Sequence, residues 1–591
     1  MSRLPSLQKV LSTTKKTIFR FPLETLTAIC GTIFSILLIN ENNSQSEYFY
    51  SKAIMSSSLC LVWFVSVSLF FRAKHKNNIL RYLVSLAFGG LLTAFVFSFH
   101  ERVSEIEMQQ FFVLNLSLHL LVSFAGFLPR TYNQEEFWEF NKQLFLRILT
   151  AGLYSFVLYG GLSLAILAID KLFKVEFDSK IYGYLFVTIV GLFNTIFFLS
   201  GVPETNSKEV PLVLKYPKGL KNFTQFVLLP LISIYLVILI CYEAKIVFTL
   251  SLPFGWVSYL VLAFAIIGIL SFLLVHPIAN ESGNLWMRTF NRWFYFLLIP
   301  LLVLLYWAIL YRINLYGFTL LRYYVLLLSV WLSVVIFYFL LNKNPKIKFI
   351  PISMCLAGLF SIVGPQSADS VSKHSQLSRF ENYLKESEGK KLTFEQEQEL
   401  SSIVYLLYSN YGFEIMLPYA DKKLDALYKK DKESGYSQIM EALGFKCRSE
   451  YDRKDNIRDS FYYYSYENNE SAIIDIHGYD FIINIYKNNP FESKNAFVIG
   501  SKKYVIKTKE QDYGQDLLIN GDVIPLKIND FISAEPKFDD DNSNSEIKIK
   551  QKVETSKYKV LLTYVHANGS IENNKKIPKN YQIKVMVGIK N

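Results

Sequence analysis

The sequence is thin in the residues that soluble catalytic centres draw on. Its 591 residues include only 7 histidines and 5 cysteines, and neither type is clustered. It has no His-Glu-x-x-His, phosphate-cradling glycine loop, Gly-x-Ser-x-Gly elbow or paired-cysteine zinc spacing. Each such pattern places reacting or ligating atoms through local geometry, so a standard enzyme of those kinds is not encoded. No metal site and no cofactor are expected. Cys30, Cys60, Cys241 and Cys355 lie in apolar segments, and Cys447 stands alone further on. A disulfide within the C-terminal part is therefore excluded. That part also lacks an excess of charge. Residues 366–591 carry 33 Lys/Arg against 34 Asp/Glu, whereas residues 1–365 carry 29 against 16. A nucleic-acid partner would want a basic patch on the soluble region, and the balance there argues against one.

What is present divides the chain in two. Up to Gly364, apolar runs of roughly 17–25 residues recur, the length that crosses about 30 Å of hydrocarbon as a helix. Beyond Pro365 there are none. The runs are Phe21–Ile39, Ala53–Phe71, Ile79–Phe99, Phe111–Leu128, Leu144–Ala168, Ile181–Val202, Phe223–Tyr242, Val257–Val275, Phe294–Leu310, Tyr323–Leu341 and Phe349–Gly364. About eleven transmembrane helices are expected. The first follows a basic stretch, as a signal peptide would, but Ile39-Asn40-Glu41-Asn42 offers no small-x-small cleavage site. It reads as an uncleaved span, with Pro22 in its first turn. Pro230 and Pro300 predict kinks within spans. Gly89-Gly90, Gly152 and Gly160-Gly161 predict close helix approach.

Basic residues set the direction. With the N-terminus inside, 21 Lys/Arg fall at the cytoplasmic face and 8 at the other. This is a positive-inside pattern. An odd span count then places the C-terminal region outside the cytoplasm, in the periplasm where an outer membrane exists. The expected location is a bacterial cytoplasmic (inner) membrane, with the lipid bilayer as the first partner.

The expected parts are a helical membrane domain over 1–365, a helical neck over 366–450 and a β-rich soluble domain over 451–591. The soluble region is thus α+β, strand-rich in its C-terminal half. Thr393-Phe394-Glu395-Gln396 reads as a capping box before the run Leu400–Tyr411, and Asp421–Leu443 as a second amphipathic helix. Expected strands are Ala472–Ile476, Tyr479–Tyr486, Lys503–Lys507, Leu517–Ile519, Glu546–Lys550, Tyr558–His566 and Gln582–Ile589. Asn520-Gly521 predicts a hairpin, and Asn568-Gly569 another turn. Asp539–Glu546 superficially resembles a calcium loop. It lacks the glycine at position six and the glutamate at twelve, so it reads as a solvated turn.

The polar groups inside the spans are the functional leads. Asn115 and His119 are four residues apart, hence on one helix face near mid-membrane. An ionisable group there either lines a pathway or bonds a neighbouring helix. Asn194 lies past the middle of its span, where an amide commonly bonds across helices for about 0.6–2 kcal/mol. Asp170, Asp178 and Lys180 bound the outer link between two spans, as charges at a wet helix end do. Glu24 can pair with Arg20 or Lys16, and Arg81 and Arg147 can snorkel to the inner surface.

The segments Phe137-Trp138-Glu139-Phe140-Asn141-Lys142, Ala168–Phe173, Asp178-Ser179-Lys180 and Gly191-Leu192-Phe193-Asn194-Thr195 stand out together. So do Tyr216-Pro217-Lys218-Gly219-Leu220-Lys221, Gly255–Tyr259 and Ser372-Lys373-His374-Ser375-Gln376-Leu377. With these the chain resembles an uncharacterised bacterial family of multi-pass membrane proteins, domain of unknown function 4153, over roughly residues 20–420. The resemblance implies the class and supplies no catalytic positions.

Three readings follow. The leading one is a non-enzymatic cell-envelope protein that displays an external domain to an envelope protein or glycan. A transporter or channel for a small solute is the second, although no internal repeat supports it. A membrane enzyme acting on lipid or glycan through Asp170 and Asp178 is the third.

Overall fold

A computed structural model of the chain describes residues 7–74, 78–129, 132–203, 216, 218–249, 256–277, 285–387, 391–420, 422–430, 434–449, 460–465, 476–487, 489, 491, 496–499, 501–535, 538, 542–545, 549–572 and 575–590. The expected strand Ala472–Ile476 lies outside these residues except for Ile476, as do half of Asp539–Glu546, whose other four residues form a strand and not the expected turn, and the first three residues of Glu546–Lys550. The chain forms two compact units, Met1–Ser449 and Glu450–Asn591.

The first unit is helical. Helix α1 (Leu7–Arg20) leads to α2 (Pro22–Asn40), where Pro22 opens the first turn at no cost in hydrogen bonds. Next come α3 (Ser44–Ala73), α4 (Asn78–Phe97) and α5 (Glu105–Ala125), the last started by a Ser104–Glu107 capping box. Helix α6 (Gln134–Phe173) has 40 residues and at 1.5 Å per residue runs about 60 Å, twice the hydrocarbon thickness. Its ends must therefore leave the apolar layer. The next rod is α7 (Lys180–Thr188), a π turn (Ile189–Asn194) and α8 (Thr195–Ser200). Then come α9 (Lys218–Phe223), a second π turn (Thr224–Leu228) and α10 (Leu229–Thr249). Pro230 sits just past that second π turn. Proline has no N–H and its ring crowds the preceding turn, and the wider π geometry absorbs both. Helices α11 (Trp256–Val275), α12 (Leu285–Tyr316), α13 (Leu320–Leu341) and α14 (Phe349–Ile362) complete the apolar set.

Among the described residues nine helices are long and apolar enough to cross a membrane, which makes this a multi-pass membrane protein. Two shorter apolar helices, Ser258–Leu274 and Phe349–Ile362, stand where the eighth and eleventh runs were expected. The helices share two apolar clusters. One joins Phe21, Leu59, Leu69, Phe111, Phe140, Leu199 and Ile362, and the other joins Leu236, Phe272, Phe294, Leu305 and Val335. Close packing at glycine holds for only part of the expected set. A Cβ on Gly89 would stand 2.8 Å from the Phe64 ring, but Gly90, Gly152, Gly160 and Gly161 have no neighbour within 4 Å of that position.

The neck has a separate core. Helices α15 (Ala368–Glu386) and α16 (Phe394–Tyr411) pack Phe380, Leu400, Val404 and Leu407 against Met416 and Ile439. The Thr393–Gln396 capping box forms as expected. The expected helix Asp421–Leu443 is instead two short ones, α17 (Asp425–Lys430) and α18 (Tyr436–Ala442). Gly435 serves as the N-cap of α18 and opens the second piece.

The second unit holds β1 (Ser460–Ser465), β2 (Phe481–Tyr486), β3 (Phe497–Ile499), β4 (Lys502–Tyr504), β5 (Ile506–Gln511), β6 (Gly514–Ile519) and β7 (Asp522–Pro525). After α19 (Ile528–Ala534) come β8 (Asn542–Ser545), β9 (Lys550–Glu554), β10 (Tyr558–Glu572) and β11 (Lys575–Ile589). The main sheet runs β2-β11-β10-β1-β8, with β9 also on β10. The three strands β5-β6-β7 and the pair β3-β4 form smaller sheets. Asn520 and Gly521 both have positive φ and join β6 to β7 in the expected two-residue hairpin. Asn568-Gly569 is not a turn. It lies inside β10, where a Cβ on Gly569 would stand 2.0 Å from the Ile577 carbonyl oxygen, so this glycine serves backbone approach at a bulge.

Candidate functional site

The sequence leads come out separately. Asn115 donates from Nδ2 to Ser58 Oγ on α3 at 2.9 Å, a helix-to-helix bond. His119 is exposed on the bundle surface, and its Nδ1 donates to the Asn115 carbonyl one turn back at 2.8 Å. Asn194 closes the first π turn and is half-buried. In the same turn Gly191 lies against α2, since a Cβ there would stand 2.1 Å from Thr32 Oγ1. Asp170 pairs with its neighbour Lys171, at 3.1 Å. Asp178 accepts from the Lys180 amide at 2.9 Å, which orders the start of α7. The structure thus pairs Asn115 with His119, and Asp178 with Lys180, and does not gather the leads at one point. Among the described residues no three metal-ligating side chains converge.

The residues that do converge are different. At the start of α6, Lys142 Nζ donates to both Glu139 carboxylate oxygens, at 2.7 and 2.8 Å. Gln143 Nε2 adds a bond to Oε1 at 2.9 Å. Glu139 is 2% exposed and Lys142 8%. The ammonium also stands 5.3 Å from the centre of the Trp138 ring, where a cation is favoured. Trp138 in turn stacks on Tyr216 at 5.3 Å, and both donate to the last turn of α11. The indole N–H reaches the Leu273 carbonyl at 2.7 Å and the Tyr216 hydroxyl the Leu274 carbonyl at 2.9 Å. Two distant motifs, Phe137–Lys142 and Tyr216, are therefore joined over one helix end.

Other basic side chains repeat this use. A helix C-terminus leaves carbonyls unbonded and carries partial negative charge, so cations are favoured there. Arg147 donates to the Phe197 carbonyl at 2.9 Å and to Ser200 Oγ at 2.5 Å, closing α8. Arg20 donates to the Val202 and Pro203 carbonyls at 2.9 and 3.3 Å, and Lys52 to the Phe99 carbonyl at 2.6 Å. Glu24 takes neither expected partner in its shortest contact. It accepts from Ser68 Oγ at 2.5 Å and lies in the field of Arg72 and Arg81.

A second convergence lies in the neck. Gly317, with φ +68°, turns the chain between α12 and α13, and the backbone of its neighbours Tyr316 and Phe318 is bonded by side chains of α15. Gln376 Nε2 donates to both carbonyls, at 3.0 and 2.7 Å. The Phe318 amide donates to Ser375 Oγ at 2.9 Å, and Arg379 donates to the Tyr316 carbonyl at 2.8 Å. Arg379 also meets Glu399 at 3.1 Å, which accepts from the Tyr383 hydroxyl. Burial, with the Glu399 carboxylate beside it, pushes that hydroxyl up to about 12. These bonds put α15 on the same side as the α12–α13 turn, so α13 and α14 form a return pair.

Sequence reasoning missed Glu139 and Lys142 as partners. The signal was available: opposite charges three apart, flanked by aromatics, ahead of an apolar run. Comparison with known proteins matches the region that holds these segments. A family model described as Domain of unknown function (DUF4153) matches residues 59–401. The uncharacterized protein PM1469 of Pasteurella multocida (strain Pm70) is 26% identical over 268 residues, 44% of this chain and 43% of that protein. The chain thus aligns with less than half the length of that relative. No solved structure matches.

Proposed function

The chain belongs to the DUF4153 family, and from that premise we propose a non-enzymatic cell-envelope protein whose membrane bundle displays an extracytoplasmic binding domain. The observation that carries this reading is the neck. Its first helix is bonded through Ser375, Gln376 and Arg379 to the turn between α12 and α13. Such a joint holds the chain rigidly where it leaves the bundle. The convergent polar groups within the bundle cap helix ends and pair charges, which is the work of a scaffold. Under this reading residues 1–365 are the bundle with about eleven spans, 366–450 the neck and 451–591 the displayed domain. The positive-inside count supports an N-terminus in the cytoplasm of a bacterial inner membrane, and with an odd number of spans the displayed domain lies outside.

Cys447 tests the placement. It is exposed and is the single cysteine beyond the apolar region. In a Cys241→Ser background, since Cys241 is exposed as well, a membrane-impermeant maleimide should label it in intact spheroplasts, and adding Cys447→Ser should abolish the signal. Labelling only after lysis would put the domain inside and end the proposal.

A solute pathway is the second reading, supported by Asn194 in a π turn, a geometry frequent at functional sites. Asn194→Leu should then lower flux in reconstituted vesicles severalfold. Flux equal to that of the unaltered protein would remove Asn194 from any path.

A further inference from the structure

The main sheet of the second unit buries one face and offers the other. Phe461, Tyr463, Leu562, Tyr564, Ile583 and Val585 fill the core beneath it. Side chains alternate along a strand, and directly opposed residues on neighbouring strands point the same way. The open face can therefore be read from register. Tyr464 is opposite His566, His566 opposite Gln582, and Gln582 opposite Tyr486. One step along, Tyr462 is opposite Asn568. A bulge between Tyr564 and His566 shifts the register of β10, so that Tyr564 is buried and His566 remains on the open side.

This row spans four adjacent strands, about 14 Å at the usual strand spacing. Tyr462, Tyr464 and Tyr486 are 41%, 39% and 40% exposed, unusually open for three large rings on one sheet. The His566 ring stands between the first two, with centroids 5.4 and 6.4 Å away. Asn568 Nδ2 donates to its Nε2 at 3.3 Å. Burial lowers the tendency of His566 to protonate, so the row is uncharged at neutral pH.

The geometry points to this row as a binding platform for an uncharged glycan chain, its sugar rings lying against the tyrosines and its hydroxyls bonded by the amides and imidazole. This rests on the reading of residues 451–591 as a binding domain. The chemistry selects the class. A tyrosine face offers a flat apolar surface with a polar tip, and amides can both donate and accept, as a hydroxyl-rich ring requires. An acidic or basic partner would find no opposite charge among these six residues, in a unit otherwise dense in lysine and carboxylate.

The test uses the purified full chain in detergent, titrated with chitohexaose and cellohexaose and, as an anionic comparator, hexagalacturonate. Saturable binding of a neutral hexamer is expected, with none of the anionic one. Changing all three tyrosines to alanine should weaken it about tenfold or more, since each aromatic contact contributes about 0.5–1.5 kcal/mol. Changing them to phenylalanine should keep most of the affinity, which separates lost stacking from lost folding. The proposal is overturned if neither neutral hexamer binds, or if the alanine variant binds as the unaltered chain does. A photo-crosslinker at Tyr462 that captures protein and no glycan in cells also overturns it. Because binding is measured on purified protein, its outcome is independent of the side on which Cys447 is labelled.

Discussion

Lys142→Met is expected to destabilise the bundle by about 3–5 kcal/mol, the cost of leaving a buried carboxylate without its counter-charge. The ammonium bridges both oxygens of Glu139 and is almost wholly enclosed by protein. Methionine keeps the unbranched shape, so the loss is electrostatic and leaves little cavity. The sign of the companion experiment is more telling. Glu139→Leu combined with Lys142→Met removes both charges and both desolvation penalties, so the double variant should recover much of the stability lost in the single one. Thermal unfolding in one detergent, followed by Trp138 emission, reads both effects. Trp138 is a fitting reporter because its N–H caps α11 and its ring faces Lys142. A single variant as stable as the parent, or a double variant worse than the single, would show that the pair is not the fastener described.

The membrane class and most element positions were legible because they follow from additive quantities. Apolar length is a sum over a window, and Pro22, Thr393 and Asn520-Gly521 act on their own neighbourhoods. Each produced the expected cap or turn. Asn568-Gly569 misled because the same dipeptide serves a hairpin turn and a bulge where another backbone comes close, and only tertiary pairing decides between them. The candidate site was less legible for the same reason. Glu139 and Lys142 are three apart in sequence, but their surroundings combine their own neighbour Trp138 with Tyr216 and the end of α11, which come from distant stretches. Arg147 was expected to snorkel and Arg20 to pair with Glu24, and they reach carbonyls of α8 and the residues after it. Which helix end lies beside a long basic side chain cannot be computed from local spacing. The intramembrane leads illustrate the converse. Asn115 and His119 were correctly placed on one face, and the nearest acceptor for His119 proved to be its own helix.

The joint of the neck should be the second most sensitive place in the first unit. Gln376→Leu together with Arg379→Met is expected to cost about 2–4 kcal/mol of local stability, because three hydrogen bonds donated to the Tyr316 and Phe318 carbonyls are lost, each contributing about 0.5–1.5 kcal/mol. Gln376 is the critical member, since its one amide reaches both carbonyls and its side chain is buried. Ser375→Ala should cost only about 1 kcal/mol, as it removes one acceptor from the Phe318 amide. Limited proteolysis and hydrogen exchange should then show α15 and the Gly317 turn opening together. The second unit has a separate core around Tyr463, Leu562 and Tyr564, so its exchange protection should not change. This contrast connects stability to function. If the joint presents the domain, the double variant should insert into the membrane, retain its glycan-binding strength as a purified protein and lose its effect in cells. Normal protection of α15 in that variant would refute the joint. A cellular effect retained after α15 has demonstrably undocked would separate display from rigidity.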